Sequence, residues 1–126
     1  MKWNKQFTYP KTVRSSVDGV RKYSIGQEKL PSVTTIISST QDASKTDSLN
    51  KWKARVGEVE AERIKNTAAT RGTAMHSYLE HHVKGGNVLD LTDVGREARS
   101  MGQTIIEKGF GDLEEVWGVE CTLFYP

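Results

Sequence analysis

The sequence has a single cysteine, Cys121, among 126 residues. One thiol permits no internal disulfide, and without a cysteine cluster there is no zinc knuckle, so the chain suits a reducing compartment. Long apolar runs are missing as well. None approaches the ~20 residues that a membrane span needs. The opening stretch, MKWNKQFTYPKTVRSS, has no apolar segment of the secretory-signal kind. It is basic and acid-poor, but Pro10 and its scattered hydrophobes make a poor amphipathic transit helix. Together these absences predict a cytoplasmic chain with no membrane partner. Hydrophobic residues make up 36%, with a mean hydropathy of −0.58, which allows one modest core. The length is that of one domain at most.

The net charge of +2 hides an asymmetry. Residues 1 to 75 carry 14 Lys and Arg against 7 Asp and Glu, and residues 76 to 126 carry 4 against 9. A basic first part can face phosphates, and an acidic second part can help hold a divalent metal. No single basic run is long, so ordinary solvated charge explains the same counts.

Read in order, Trp3, Phe7 and Tyr9 alternate with polar residues, as in a short strand or an extended arm. Val13 to Ile25 reads as a β-hairpin near 12 to 26, turning at Asp18-Gly19, a dipeptide suited to a two-residue turn. Pro31 pushes Leu30 to an extended conformation. Ser32 can cap a short helix through Ile37, although the β-branched run also fits a strand. Residues 38 to 48 read as a polar loop. Asp47 or Ser48 then caps a helix whose apolar face holds Leu49, Trp52 and Val56, and Gly57 interrupts it. Helix resumes at Glu58, supported by Glu60–Arg63 and Glu62–Lys65 at i, i+3, and ends near Gly85-Gly86. A further helix runs from Thr92 or Asp93 to Gly109. Residues 113 to 125 read as a strand with Val119, Cys121 and Leu123 on one face. That pattern is still running at the last residue, and the hairpin is its only evident partner, so the expected fold is an incomplete one.

The stretch that organises the chain is Arg71-Gly72-Thr73-Ala74-Met75-His76-Ser77-Tyr78-Leu79-Glu80-His81-His82. On a helix, Gly72, His76 and Glu80 fall at successive i, i+4 positions on one face. Glycine one turn before a histidine leaves room for a phosphate, a metal or another backbone to come close. Glu80 can orient the imidazole or share a cation with it. The same spacing also describes an ordinary surface pair.

Three blocks appear in sequence: Pro31-Ser32-Val33-Thr34-Thr35-Ile36-Ile37; Leu49-x-x-Trp52-Lys53-x-Arg55-Val56-Gly57-Glu58-x-Glu60-Ala61; and Arg71-Gly72-Thr73-x-x-His76-x-x-x-Glu80. In this order and at this spacing, the chain resembles the N-terminal half of phage and mitochondrial-type exonucleases. These belong to the RecB-like branch of the restriction-endonuclease-like, PD-(D/E)XK, nucleases. The resemblance spans residues 21 to 125. It implies an α+β fold, the N-terminal part of a restriction-endonuclease-like domain: a β-hairpin region over 1–30, a helical region over 31–109 and a first core strand over 113–125. It implies DNA as substrate, Mg²⁺ or Mn²⁺ as cofactor, and the host cytoplasm if the chain is phage-encoded. His76 is implied beside the metal, with Glu80 as its catalytic partner and Glu120, as the acidic residue on the preceding strand, as a further metal ligand.

In that family the site also needs an Asp on a later strand and a D/E-x-K pair, and this sequence reaches neither. The expectation is therefore a truncated or split nuclease domain over 1–126, inactive without a complementary C-terminal half. Lys51, Lys53, Arg55 and Arg71 are the candidate phosphate contacts, while Trp52 shares a face with Leu49 and Val56 and reads as core. Two other classes remain. One is a non-catalytic nucleic-acid-binding module. The other is a small zinc protein using His76, Glu80 and His81 or His82.

Overall fold

The computed structural model describes residues 1–125 and shows an α+β chain. Four helices accompany a three-stranded antiparallel sheet and a two-stranded parallel sheet. The chain divides into two compact units: Met1–Thr8 with Val59–Cys121, and Tyr9–Glu58 with the segment from Thr122 on.

The unit containing Tyr9–Glu58 starts with the hairpin. Strand β2 (Val13–Val17) pairs antiparallel with β3 (Val20–Ile25). The turn between them holds Asp18 at φ 52° and Gly19 at φ 76°, a left-handed pair whose twist matches that of the flanking strands. A third strand, β4 (Glu28–Pro31), adds to β3 and extends the expected hairpin. Pro31 fits there because β4 is an edge strand, where a missing N–H interrupts no inner ladder.

Helix α1 (Val33–Ser39) follows at once. Ser32 Oγ accepts from the Thr35 amide at 3.1 Å, so the capping alternative holds over the strand alternative. A cap of this kind contributes about 1 kcal/mol, enough to tip a β-branched run into helix. Residues 38 to 48 are not the loop expected. Helix α2 spans Ala43–Val56, and its N-cap is Asp42, not Asp47 or Ser48. The Ser/Thr-rich stretch disguised the first turn, since those residues favour caps and turns over helix interiors. Helix α2 buries no residue. Leu49 is 47% exposed while Trp52 and Val56 are half-buried, so the expected core face is only partly covered. Gly57, at φ 90°, ends the helix.

The other unit is built on helix α3 (Glu58–Val83) and helix α4 (Asp93–Gly109). The expected Glu60–Arg63 pair forms, whereas Glu62 and Lys65 do not pair. Helix α3 ends where the glycines predict. Gly85, at φ 82°, donates to His82 O at 3.1 Å, and Gly86 donates to His81 O at 2.8 Å, which closes a Schellman motif. Thr92 caps α4 by accepting from Gly95 N at 3.0 Å. The buried positions of α4 are Gly95, Ala98 and Gly102, at i, i+3 and i+7. A stripe this small leaves room for side chains to lie against the helix backbone, Asp90 at Gly95 and Tyr78 at Gly102. A Cβ added at Gly102 would meet the Tyr78 ring of α3 at 2.5 Å. Among the described residues, the buried apolar side chains are Ala61 and Ala98 alone, so this core is thin.

The strand expected over 113–125 is shorter than its pattern. A 3-10 turn at Phe110–Asp112 leads to β5, which covers Glu115–Val116 and pairs parallel with β1 (Lys2–Trp3). Its partner is thus the N-terminus and not the hairpin. The ladder stops at Val116 because its partner β1 ends at Trp3, and further on the chain bends, with Glu120 left-handed at φ 51°. The Phe7 ring packs on Trp117, centroids 5.1 Å apart, a tilted pair that contributes about 1 kcal/mol. Among the described residues no helix is long and apolar enough to cross a membrane.

Candidate functional site

Helix α3 carries the site because 26 residues, rich in alanine, glutamate and other good helix formers, run without proline. Gly72 sits in its interior, where glycine costs about 1 kcal/mol relative to alanine. Packing within the described residues does not require it, since a Cβ built there would meet nothing within 4 Å. The glycine leaves open space one turn before His76.

His76 projects from α3 with its side chain 65% exposed. Its Nδ1 lies 3.9 Å from Glu120 Oε1. Forty-four positions separate these residues in sequence, and the bend that holds Glu120 at φ 51° brings the carboxylate to the ring. A left-handed conformation costs a non-glycine residue about 1 to 2 kcal/mol. No other partner of the His76 ring is present among the described residues. The imidazole can therefore form an ion pair when protonated, or offer a nitrogen to a third group when neutral.

Glu80 shares the His76 face but does not orient the ring. Its Oε1 accepts from Lys84 Nζ, one turn further on, at 2.5 Å. That hydrogen bond holds the Glu80 carboxyl below the usual carboxylate range, with a smaller contribution from the Lys84 charge. Glu120 takes the position expected for Glu80. His81 Nδ1 turns back to Ser77 O at 2.7 Å, and the His82 ring lies 6.2 Å from that of Phe110. So His76, Glu80, His81 and His82 do not converge, and the arrangement does not match a zinc site. Among the described residues no three His, Cys, Asp or Glu side chains gather into a metal-holding group.

His76 and Glu120 offer one nitrogen and one carboxylate. Mg²⁺ takes about six oxygen donors in octahedral geometry, and imidazole is a borderline ligand for so hard a cation. The donors present do not fit Mg²⁺ or Mn²⁺ by themselves.

The basic candidates divide between the two units. Lys51, Lys53 and Arg55 lie on α2, all exposed. Lys51 and Arg55 share a face at i, i+4, while Lys53 points about 160–200° away from each. Lys51 also pairs with Asp47 at 3.2 Å. Lys53 and Arg55 have no carboxylate partner among the described residues. Arg71, on α3, pairs with Glu97 of α4 at 3.3 Å, so it ties the two helices together. It is a structural contact first and a phosphate contact only if that pair opens.

Sequence reasoning missed a cavity of about 210 Å³ lined by Ser77, Tyr78, Leu89, Asp90, Arg96 and Arg99, among others. Ser77 and Tyr78 project from a side of α3 other than that of His76. Of the small-residue stripe on α4 only Gly95 lines it, so no single sequence pattern marked the cavity. Asp90 beside it accepts from the Thr92 amide at 3.0 Å and from Thr92 Oγ1 at 2.6 Å. These bonds lower its pKa, the side-chain hydroxyl contributing most.

Comparison with protein-family models, with curated proteins and with solved structures returned no match for this chain.

Proposed function

We propose that this chain supplies the His76–Glu120 pair and a basic DNA-facing region to a metal-dependent exonuclease that hydrolyses DNA phosphodiester bonds in the cytoplasm. The observation that carries the reading is the approach of Glu120 to His76 at an exposed position beside the open flank of Gly72. The RecB-like resemblance marks both residues independently of that geometry. With too few donors here for a hard cation, the remaining carboxylates and the lysine that steers the attacking water come from a complementary half. This chain's own contribution is to bind DNA phosphates through the exposed cations of α2, Arg55 on one face and Lys53 on the opposite one, and to hold the imidazole at the scissile phosphate.

The second reading is a non-catalytic nucleic-acid-binding module. The donor count favours it, since a site of one nitrogen and one carboxylate needs no catalytic purpose.

One experiment separates the two. The chain is bound to an oligonucleotide at low salt and titrated with Mn²⁺, whose paramagnetism broadens nearby NMR signals. The exonuclease reading expects the resonances of His76 and Glu120 to broaden first, because DNA phosphates add oxygen donors, and expects His76→Ala to abolish this. Broadening that ignores both residues leaves the binding module. Failure to bind DNA at low salt overturns both.

A further inference from the structure

The register of the three-stranded sheet sorts its side chains onto two faces, since directly opposed residues share a face. Arg14 of β2 stands opposite Tyr23 of β3, and Tyr23 stands opposite Leu30 of β4. Arg21 pairs with Ser16 and lies two residues from Tyr23, so it joins the same face. Tyr23, half-buried, thus shares its face with two arginine positions, one across the strand and one two residues along it. Lys22 and Lys29 occupy the opposite face. None of these four cations has a carboxylate partner among the described residues. Glu28, opposite Ile25, lies at the far end of the Tyr23 face from the hairpin turn.

This arrangement has no structural task that the sheet alone explains. Like charges on adjacent strands repel, and Glu28, at the far end of this face, forms an ion pair with neither arginine among the described residues. Two arginines around an aromatic ring match what a single-stranded nucleic acid offers: a base to stack and phosphates on either side. Arginine also presents a planar fork to phosphate oxygens. Duplex DNA fits less well, because its bases are already stacked and cannot reach Tyr23.

We propose that the Arg14–Tyr23–Arg21 face of this sheet is a docking surface for single-stranded DNA, with a base stacked on Tyr23 and the flanking phosphates held by Arg14 and Arg21. The inference rests on the DNA-directed reading above and adds where, and in which form, the DNA is held. Charge complementarity selects the occupant: on this face Arg14 and Arg21 flank the ring, and the one carboxylate among its described residues, Glu28, stands at the end away from them. The ring and its two cations give the surface a preference for unpaired strands.

The test measures binding of the full chain to a labelled oligothymidylate and to a duplex of equal length, across salt concentrations. Variants are Tyr23→Ala, Tyr23→Phe, Arg14→Gln with Arg21→Gln, and Lys53→Gln with Arg55→Gln. Tyr23→Ala is expected to weaken single-strand binding about tenfold, the scale of one stacked base, while Tyr23→Phe retains it. The double arginine variant is expected to reduce the salt slope by about 1.4, at roughly 0.7 for each phosphate contact on a single strand. Amide shift changes in the unmodified chain, confined to 13–30 on adding the oligonucleotide, support the proposal even if Tyr23→Ala fails to fold. It is overturned if those shifts lie elsewhere, if duplex binds as tightly as single strand, or if polyglutamate competes as well as DNA. If only the Lys53 and Arg55 variant loses binding, this surface falls and the DNA-directed reading stands. If the unmodified chain binds no DNA, both fall.

Discussion

Gly102 of α4 lies beneath the Tyr78 ring of α3, so close that a Cβ at residue 102 would stand 2.5 Å from Cδ1. That contact and the Arg71–Glu97 pair both join α4 to the helix that carries His76.

Gly102→Ala is therefore expected to destabilise the chain by about 1 to 3 kcal/mol, the usual cost of forcing atoms into a packed contact. Gly72→Ala is expected to do the opposite, stabilising by about 0.5 to 1 kcal/mol, because the site is open and alanine is the better helix former. Thermal unfolding of the two variants decides this. Equal shifts of the same sign would show that the helices do not pack through residue 102.

A second expectation concerns the hairpin. Gly19→Val places a β-branched residue at φ 76° and is expected to cost more than 1 kcal/mol, whereas Asp18→Asn, at φ 52°, is expected to be nearly neutral. Denaturant unfolding followed by tyrosine or tryptophan signal reads both. A neutral Gly19→Val would mean the turn is not left-handed at that residue.

The third concerns pH. Hydrogen bonds from Thr92 lower the Asp90 pKa. A carboxylate with a depressed folded pKa adds stability that is present above the ordinary carboxylate value and lost as pH falls through the folded one. Thr92→Ala is expected to return the Asp90 titration upward and to shrink that loss on the acid side. At neutral pH it also removes the α4 cap, at about 1 kcal/mol, and Thr92→Ser restores both. A carboxyl NMR titration of Asp90 in the three proteins is the measurement. An unmoved Asp90 titration in Thr92→Ala would show that some other group depresses it.

The fourth separates binding from chemistry. Lys53→Ala with Arg55→Ala is expected to weaken DNA binding and reduce its salt dependence, since each lost phosphate contact removes counterion release. His76→Ala is expected to leave metal-free affinity unchanged. In an enzyme assembled with a complementary half, it is expected to lower turnover at saturating DNA much more than affinity. An unchanged turnover with an intact fold makes His76 a surface histidine paired with Glu120 and nothing more.

The sequence alone determined what is local. Asp18-Gly19 set the hairpin turn and Gly85-Gly86 a helix end, and Ser32 and Thr92 were among the offered helix starts, because each acts through bonds within a few residues of itself. The i, i+4 spacing likewise put Gly72, His76 and Glu80 on one helix face. The sequence misplaced the start of α2, where serine and threonine obscure helix periodicity. It also overextended the final strand, because alternation cannot reveal whether a neighbouring strand is long enough to pair. Only the tertiary structure decided that β5 pairs with Lys2–Trp3 and that Arg71 is taken up by Glu97. It alone placed Glu120 beside His76. Those are choices among competing partners of similar chemistry at long sequence separation. No propensity or spacing ranks them, and the winner is whichever group the packing of α4 and the bend at Glu120 carries within reach.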